Sequence, residues 1–175
     1  MRASPAGGIG VEGTLRLPVR EANHQAIQFG FTSGGPTMAT SDSIRRLGDV
    51  DTSPDMCAVG FPGGEGAELV DSLSVATASN RVRLNAPSNW RSGRPMTVRV
   101  QLFEDGRCGV AIDGRPVWMS RTPLSLSVPR AVFFVGNSAR TDMTIGALDA
   151  WQGVKTDMDW SAVDPLLPRG GVKRR

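Results

Sequence analysis

His24 is the only histidine in this chain of 175 residues, so any Ser-His-Asp or Cys-His engine would rest wholly on it. No nucleophile motif lies beside it, and no Gly-x-Ser-x-Gly elbow occurs anywhere. His24 falls near an expected strand start, the setting of a surface or hydrogen-bonded imidazole. Glycoside hydrolysis needs two carboxylates roughly 5–10 Å apart across a sugar. Glu65, Glu68 and Asp71 form the only acidic cluster in a strand-like region. In an extended strand, Glu68 and Asp71 point to opposite faces, because side chains alternate. The glycine-rich stretch 60–66 lacks the Lys-Ser/Thr pair of a phosphate loop and reads as a turn. The expectation is a protein without a catalytic site and without a cofactor.

Binding chemistry has more candidates. Asp49, Asp51 and Asp55 lie together beside Thr52 and Ser53, a weak candidate for calcium, which takes six to eight oxygens. Asp and Ser are also ordinary turn residues. Cys57 and Cys108 are too few for a disulfide scaffold or a zinc site. A single bridge is open to them, and two buried thiols are the favoured state. Trp90 sits in a loop beside Asn89 and Arg91, where an indole could stack on a ring or a partner. Trp118 and Trp151 are expected to pack in the core or at a sheet edge. Arg45 and Arg46 lie in a long polar loop. Trp160 is placed to anchor the C-terminal extension onto the body.

Charge is concentrated at one end. Arg169, Lys173, Arg174 and Arg175 carry much of the formal net charge of +3. Without them, 16 basic and 17 acidic residues remain, a body near neutrality. The pI of about 9.5 therefore reflects a basic tail suited to acidic headgroups or an acidic partner surface, and no nucleic-acid face is expected. Eighteen arginines to two lysines, with no tyrosine, read as the bias of a GC-rich bacterial genome.

The elements that must position these residues are short. Gly and Pro total 33 residues, which favours turns over long helices. Period-two alternation or short apolar runs predict strands near 11–17, 25–31, 56–61, 69–77, 81–84, 97–103, 108–112, 117–119, 131–136 and 143–151. Asp105-Gly106 and Asp113-Gly114 mark hairpin turns, because glycine accepts the positive φ that such turns demand. Residues 1–10 are expected to lack regular structure, 11–153 to form the domain, and 154–175 to form an extension with the basic tail. Some ten strands with turn signals every 8–12 residues describe an all-β, two-sheet antiparallel β-sandwich or jelly roll.

Val98-Arg99-Val100, Asp105-Gly106, Val110-Ala111-Ile112-Asp113-Gly114 and Ile145-Gly146-Ala147-Leu148 resemble the laminin-G-like domains of the concanavalin A-like lectin/glucanase superfamily. The resemblance implies a concanavalin A-like sandwich over residues 11–153, usually with a further strand before Val11. Arg94-Pro95-Met96 stands where that family often has Trp-His, and the Glu-x-Asp-x-Glu strand of its glucanase branch is absent.

The first functional expectation is an interaction module: an accessory subunit docked on a larger bacterial complex, membrane-associated complexes included. Loop 32–55 and the two tails would make its contacts. The alternative is a lectin-like module that binds carbohydrate. No stretch is long and apolar enough for a membrane helix, and no secretory signal opens the chain, so the expected location is the cytoplasm or the cytoplasmic face of a membrane, or the periplasm if a leader was removed.

Overall fold

Alternating side chains become paired strands in the computed structural model, which describes residues 7–16, 27–32, 56–61, 72–77, 81–85, 94–124, 130–135 and 144–163. The strands are β1 (Ile9–Arg16), β2 (Ile27–Thr32), β3 (Met56–Phe61), β4 (Ser72–Thr77), β5 (Arg81–Asn85), β6 (Pro95–Leu102), β7 (Cys108–Ile112), β8 (Arg115–Met119), β9 (Arg130–Val135) and β10 (Thr144–Gln152). A 3-10 turn follows at Trp160–Ala162. One sheet has the order β10-β1-β6-β7-β8, the other β5-β4-β3-β2-β9. All pairings are antiparallel. The expected two-sheet antiparallel sandwich is what forms.

Strand β1 begins at Ile9, earlier than its alternation suggested. Ile9 and Gly10 pair with both Leu102 and Gln101 on one side and Gln152 and Trp151 on the other, so ladder hydrogen bonds order a stretch expected to lack structure.

Both Asp-Gly turns are hairpin turns. Asp113 and Gly114 have φ of 50° and 74°, the paired left-handed residues of a type I′ turn, whose twist matches that of the flanking strands. Asp113 also accepts a 2.8 Å hydrogen bond from the Thr97 amide through Oδ1. At Asp105-Gly106 the Gly106 amide donates to Phe103 O at 2.9 Å and Gly106 takes φ 82°, a type I turn closed by a left-handed glycine.

The core lies between the sheets. Val11 and Leu15 of β1, Met96, Val98, Val100 and Leu102 of β6, and Cys108, Val110 and Ile112 of β7 meet Phe31 of β2 and Cys57 and Val59 of β3. Trp118 packs against this core half-buried, on the outermost strand of its sheet.

The two cysteines correct an expectation. Cys57 and Cys108 form a disulfide, with Cα atoms 5.8 Å apart and both residues fully buried. The bridge joins β3 of one sheet to β7 of the other. Spacing along the chain could not show that two residues 51 apart face each other across the core. Closing such a loop restricts the unfolded chain by about 4 kcal/mol in the chain-entropy account.

A second cluster lies on the opposite face of the first sheet. Ala111 and Met119 are covered by Trp160 and Val163, with Phe103 and Met158 at the margin. The chain leaves β10 at Gly153, crosses this outer face, and seats Trp160 against Phe103 with ring centroids 5.1 Å apart, edge to face. Trp160 thus anchors the segment after β10, as its position suggested.

Candidate functional site

The segment 153–163 acts as a strap over the outer face of β10, β1 and β6, and the polar residues of that face gather beneath it. Register dictates their company. Gly10 and Glu12 on β1 stand opposite Gln101 and Arg99 on β6, and opposite Trp151 and Asp149 on β10. All six share one face, because side chains two apart on a strand point the same way.

Arg99 is the hub, only 5% exposed. Its Nε donates to Glu12 Oε2 at 2.6 Å, and Nη1 and Nη2 donate to the two carboxylate oxygens of Asp157 at 2.6 and 2.8 Å. This is a bidentate, charge-assisted pair, the stronger kind of side-chain hydrogen bond. Bonding to Asp157 holds the Arg99 guanidinium more firmly protonated than usual, against the opposing effect of burial. Asp157 in turn is held below the usual aspartate range, chiefly by its hydrogen bonds to Arg99. Gln101 adds a second fastening, its Nε2 donating to Ile9 O, Leu102 O and Gly153 O at 2.8, 2.9 and 3.2 Å.

Trp151 lies beside this clasp. Its indole is laid against the backbone of Gly10, so closely that a Cβ there would overlap ring atoms Cζ2 and Cε2. Glycine is what lets the ring approach strand β1 this closely. Over the ring stands the ammonium of Lys155, 3.7 Å from the centroid, which is also 2.9 Å from Asp149 Oδ2. The Arg99 guanidinium carbon is 5.2 Å from the same centroid. The indole Nε1 is buried and has no hydrogen-bond partner.

The two coverings differ in strength. The Lys155 side chain is 35% exposed and that of Asp149 65%, so their ion pair contributes at most about 1 kcal/mol. The cation–π contact adds about 0.5–1 kcal/mol. The Arg99 clasp has a buried side chain, 6% exposed, and is fixed by three hydrogen bonds. Lys155 can therefore leave the ring at small cost while the clasp stays closed.

The arrangement can stack a ring and hydrogen-bond its substituents. Asp157, held below the usual aspartate range, lacks the raised pKa of a glycosidase general acid. Among the described residues, no group of three or more His, Cys, Asp or Glu side chains could hold a metal ion. Residues Arg45, Arg46, Asp49, Asp51, Asp55, Trp90, Arg91, Lys173, Arg174 and Arg175, with His24, Glu65, Glu68 and Asp71, lie outside the described residues. Of the sequence candidates for binding, the structure describes Trp160 alone, and it is buried as an anchor. Trp151 packs at a sheet edge, as expected. Its charged company came from register, and the one local hint was a tryptophan in an expected strand between Asp149 and Lys155.

No family model matches the chain, and no curated protein matches it in sequence. Solved structures do share its fold. Sheep galectin-11 matches with a TM-score of 0.52 and 12% identity over 86% of this chain and 95% of that one. Lectin II from Ulex europaeus matches with a TM-score of 0.54 and 12% identity over 85% and 74% of the two chains. The carbohydrate recognition domain of Emp46p matches with a TM-score of 0.55 and 13% identity over 87% and 74%. The fold is a lectin-like β-sandwich. At such identities the likeness reaches the fold and stops there. The lectin-like sandwich agrees with the expected concanavalin A-like architecture at the level of fold.

Proposed function

We propose that this lectin-like sandwich is a non-catalytic module that binds carbohydrate, with Trp151 as its stacking platform. The observation that supports this most is the indole packed closely against Gly10 on the outer sheet face, with Glu12, Asp149, Arg99 and Lys155 around it. Aromatic faces bury the apolar C–H surface of a sugar, while charged and amide groups beside them can fix its hydroxyls. The fold shared with a carbohydrate recognition domain and with lectins supports the same reading. Within that fold, the Val110–Gly114 and Ile145–Leu148 stretches support a laminin-G-like subdivision.

The test is a glycan screen of the full chain, with Trp151→Ala and Trp90→Ala variants beside it. The expected result is binding of at least one glycan, weakened tenfold or more by Trp151→Ala with little loss of melting temperature. Binding lost only with Trp90→Ala would move the platform to that loop. No glycan bound at all would overturn the reading.

A second reading, an accessory subunit docked on a larger complex, is favoured by Ile145 and Leu148. They are 36% and 51% exposed on β10, at the end of its sheet. Gentle isolation from the native source followed by mass spectrometry decides it. A stoichiometric protein partner lost on Leu148→Ser would establish docking through this strand, and a monomer recovered alone would remove it. The buried bridge between Cys57 and Cys108 supports maturation in an oxidising compartment, such as the periplasm or the exterior, over the cytoplasmic placement expected from the sequence.

A further inference from the structure

We infer that the Trp151 face is an ammonium-accepting subsite, suited to an amino sugar with a free amine, and that Lys155 occupies it in the unliganded protein. The inference rests on the carbohydrate reading and names the ligand class of that site. Its basis is what already stands on the ring. The Lys155 ammonium is 3.7 Å from the Trp151 centroid and 2.9 Å from Asp149 Oδ2. An electron-rich indole face with a carboxylate at its rim is a receptor for a cation. Lys155 satisfies it from within the chain, through a side chain that is one-third exposed and carried on the strap next to β10.

A glucosamine unit would meet the same receptor better than a neutral hexose. Its C–H face would stack on the indole, and its ammonium would take the place of the Lys155 ammonium beside Asp149. The remaining charges of the face do not compete for that role. Glu12 and Asp157 are both engaged by Arg99, which leaves Asp149 as the carboxylate released when Lys155 moves away. Bulk electrostatics give little preference, because the body without its basic tail is near neutrality, with 16 basic and 17 acidic residues.

The experiment compares three tetrasaccharides by calorimetry on the full chain at neutral pH: a glucosamine oligomer, its fully N-acetylated counterpart, and a neutral glucose oligomer of the same linkage. Spermine serves as a cation without a sugar ring. The expected result is that the free-amine oligomer binds at least tenfold tighter than the other two and quenches tryptophan fluorescence. Lys155→Ala should tighten it about three- to tenfold by removing the internal competitor. Asp149→Asn should abolish the preference for the free amine, and Trp151→Ala should abolish binding with the fold intact by circular dichroism. Equal binding of the acetylated or neutral oligomer overturns the amine inference and leaves the carbohydrate reading standing. Spermine bound as tightly as the glucosamine oligomer also overturns it, because the ring would then be irrelevant. If none of the three sugars binds but another glycan does in the screen, only the inference falls. If no glycan binds at all, both fall.

Discussion

Arg99 is where the outer face of the first sheet and the strap are held together. It spends its guanidinium on Glu12, four residues into β1, and on Asp157, five residues after β10 ends. Arg99→Ala removes three charge-assisted bonds but leaves two carboxylates that water can reach, since the Asp157 side chain is 53% exposed. The expected loss is about 2 kcal/mol, in the range for hydrogen bonds to charged groups. Thermal denaturation should show it as a fall of roughly 4–8 °C for a chain of this size. The same pair sets an acid response. The folded pKa of Asp157 lies below its unfolded value, so the latch contributes fully above the ordinary aspartate pKa of about 3.9 and is lost as pH falls through the lower folded value. Hydrogen exchange of residues 153–163 should stay slow from neutral pH down to about 4 and rise only below it. An Asp157→Asn variant should exchange faster from neutral pH down to about 4, converge with the wild type in strong acid, and lack the acid step. A step near pH 6 would point to a different group.

Strands and turns answer to more local rules. The β7–β8 turn needs Asp113 and Gly114 both at positive φ, and nothing lies within 4 Å of a Cβ built on Gly114. Space is therefore no obstacle there, and backbone conformation is the whole cost of substitution. Gly114→Ala should destabilise by about 1 kcal/mol, and Gly114→Asn by less, because asparagine tolerates the left-handed region. Urea denaturation with an unchanged m-value checks this. A loss of several kcal/mol would mean that the turn carries contacts beyond its geometry. Gly10 is the opposite case: a side chain there would displace the Trp151 ring. Gly10→Ala should disturb the platform and indole fluorescence more than the melting temperature.

For the molecule as a whole, the Cys57–Cys108 bridge holds the two sheets face to face. Reduction, or a Cys57→Ala/Cys108→Ala double variant, should lower stability by up to about 4 kcal/mol. In melting temperature that is roughly 8–16 °C. The sandwich should still form under native conditions, because the apolar ladder from Val11 to Ile112 is independent of the sulfur atoms. Thiols that label without denaturant in the untreated protein would contradict a bridge buried in the core. The strap completes the other face of the same sheet, with Trp160 over Ala111 and Met119. The sheet bearing the Trp151 platform thus has its apolar half closed by Trp160, and on its polar half Asp157 covers Arg99 while Lys155 stands over the Trp151 ring.

The sequence determined the strands and where they turn. Alternation in 97–103 and the two Asp-Gly pairs are local signals, and β6, β7 and β8 stand where those signals placed them within about two residues. Those signals act through side-chain period and backbone φ, which a few neighbouring residues settle among themselves. The same alternation assigned each residue to a face of its strand. It could not say which strand would be next to which. Sheet order β10-β1-β6 brought Glu12, Arg99, Trp151 and Asp157 to one place from three separate parts of the chain. Stacking of the two sheets set Cys57 against Cys108. Both outcomes depend on pairings between distant segments, whose energy comes from burying apolar faces and matching backbone hydrogen bonds over the whole sandwich. The candidate site, the bridge and the strap were therefore decided by the tertiary structure.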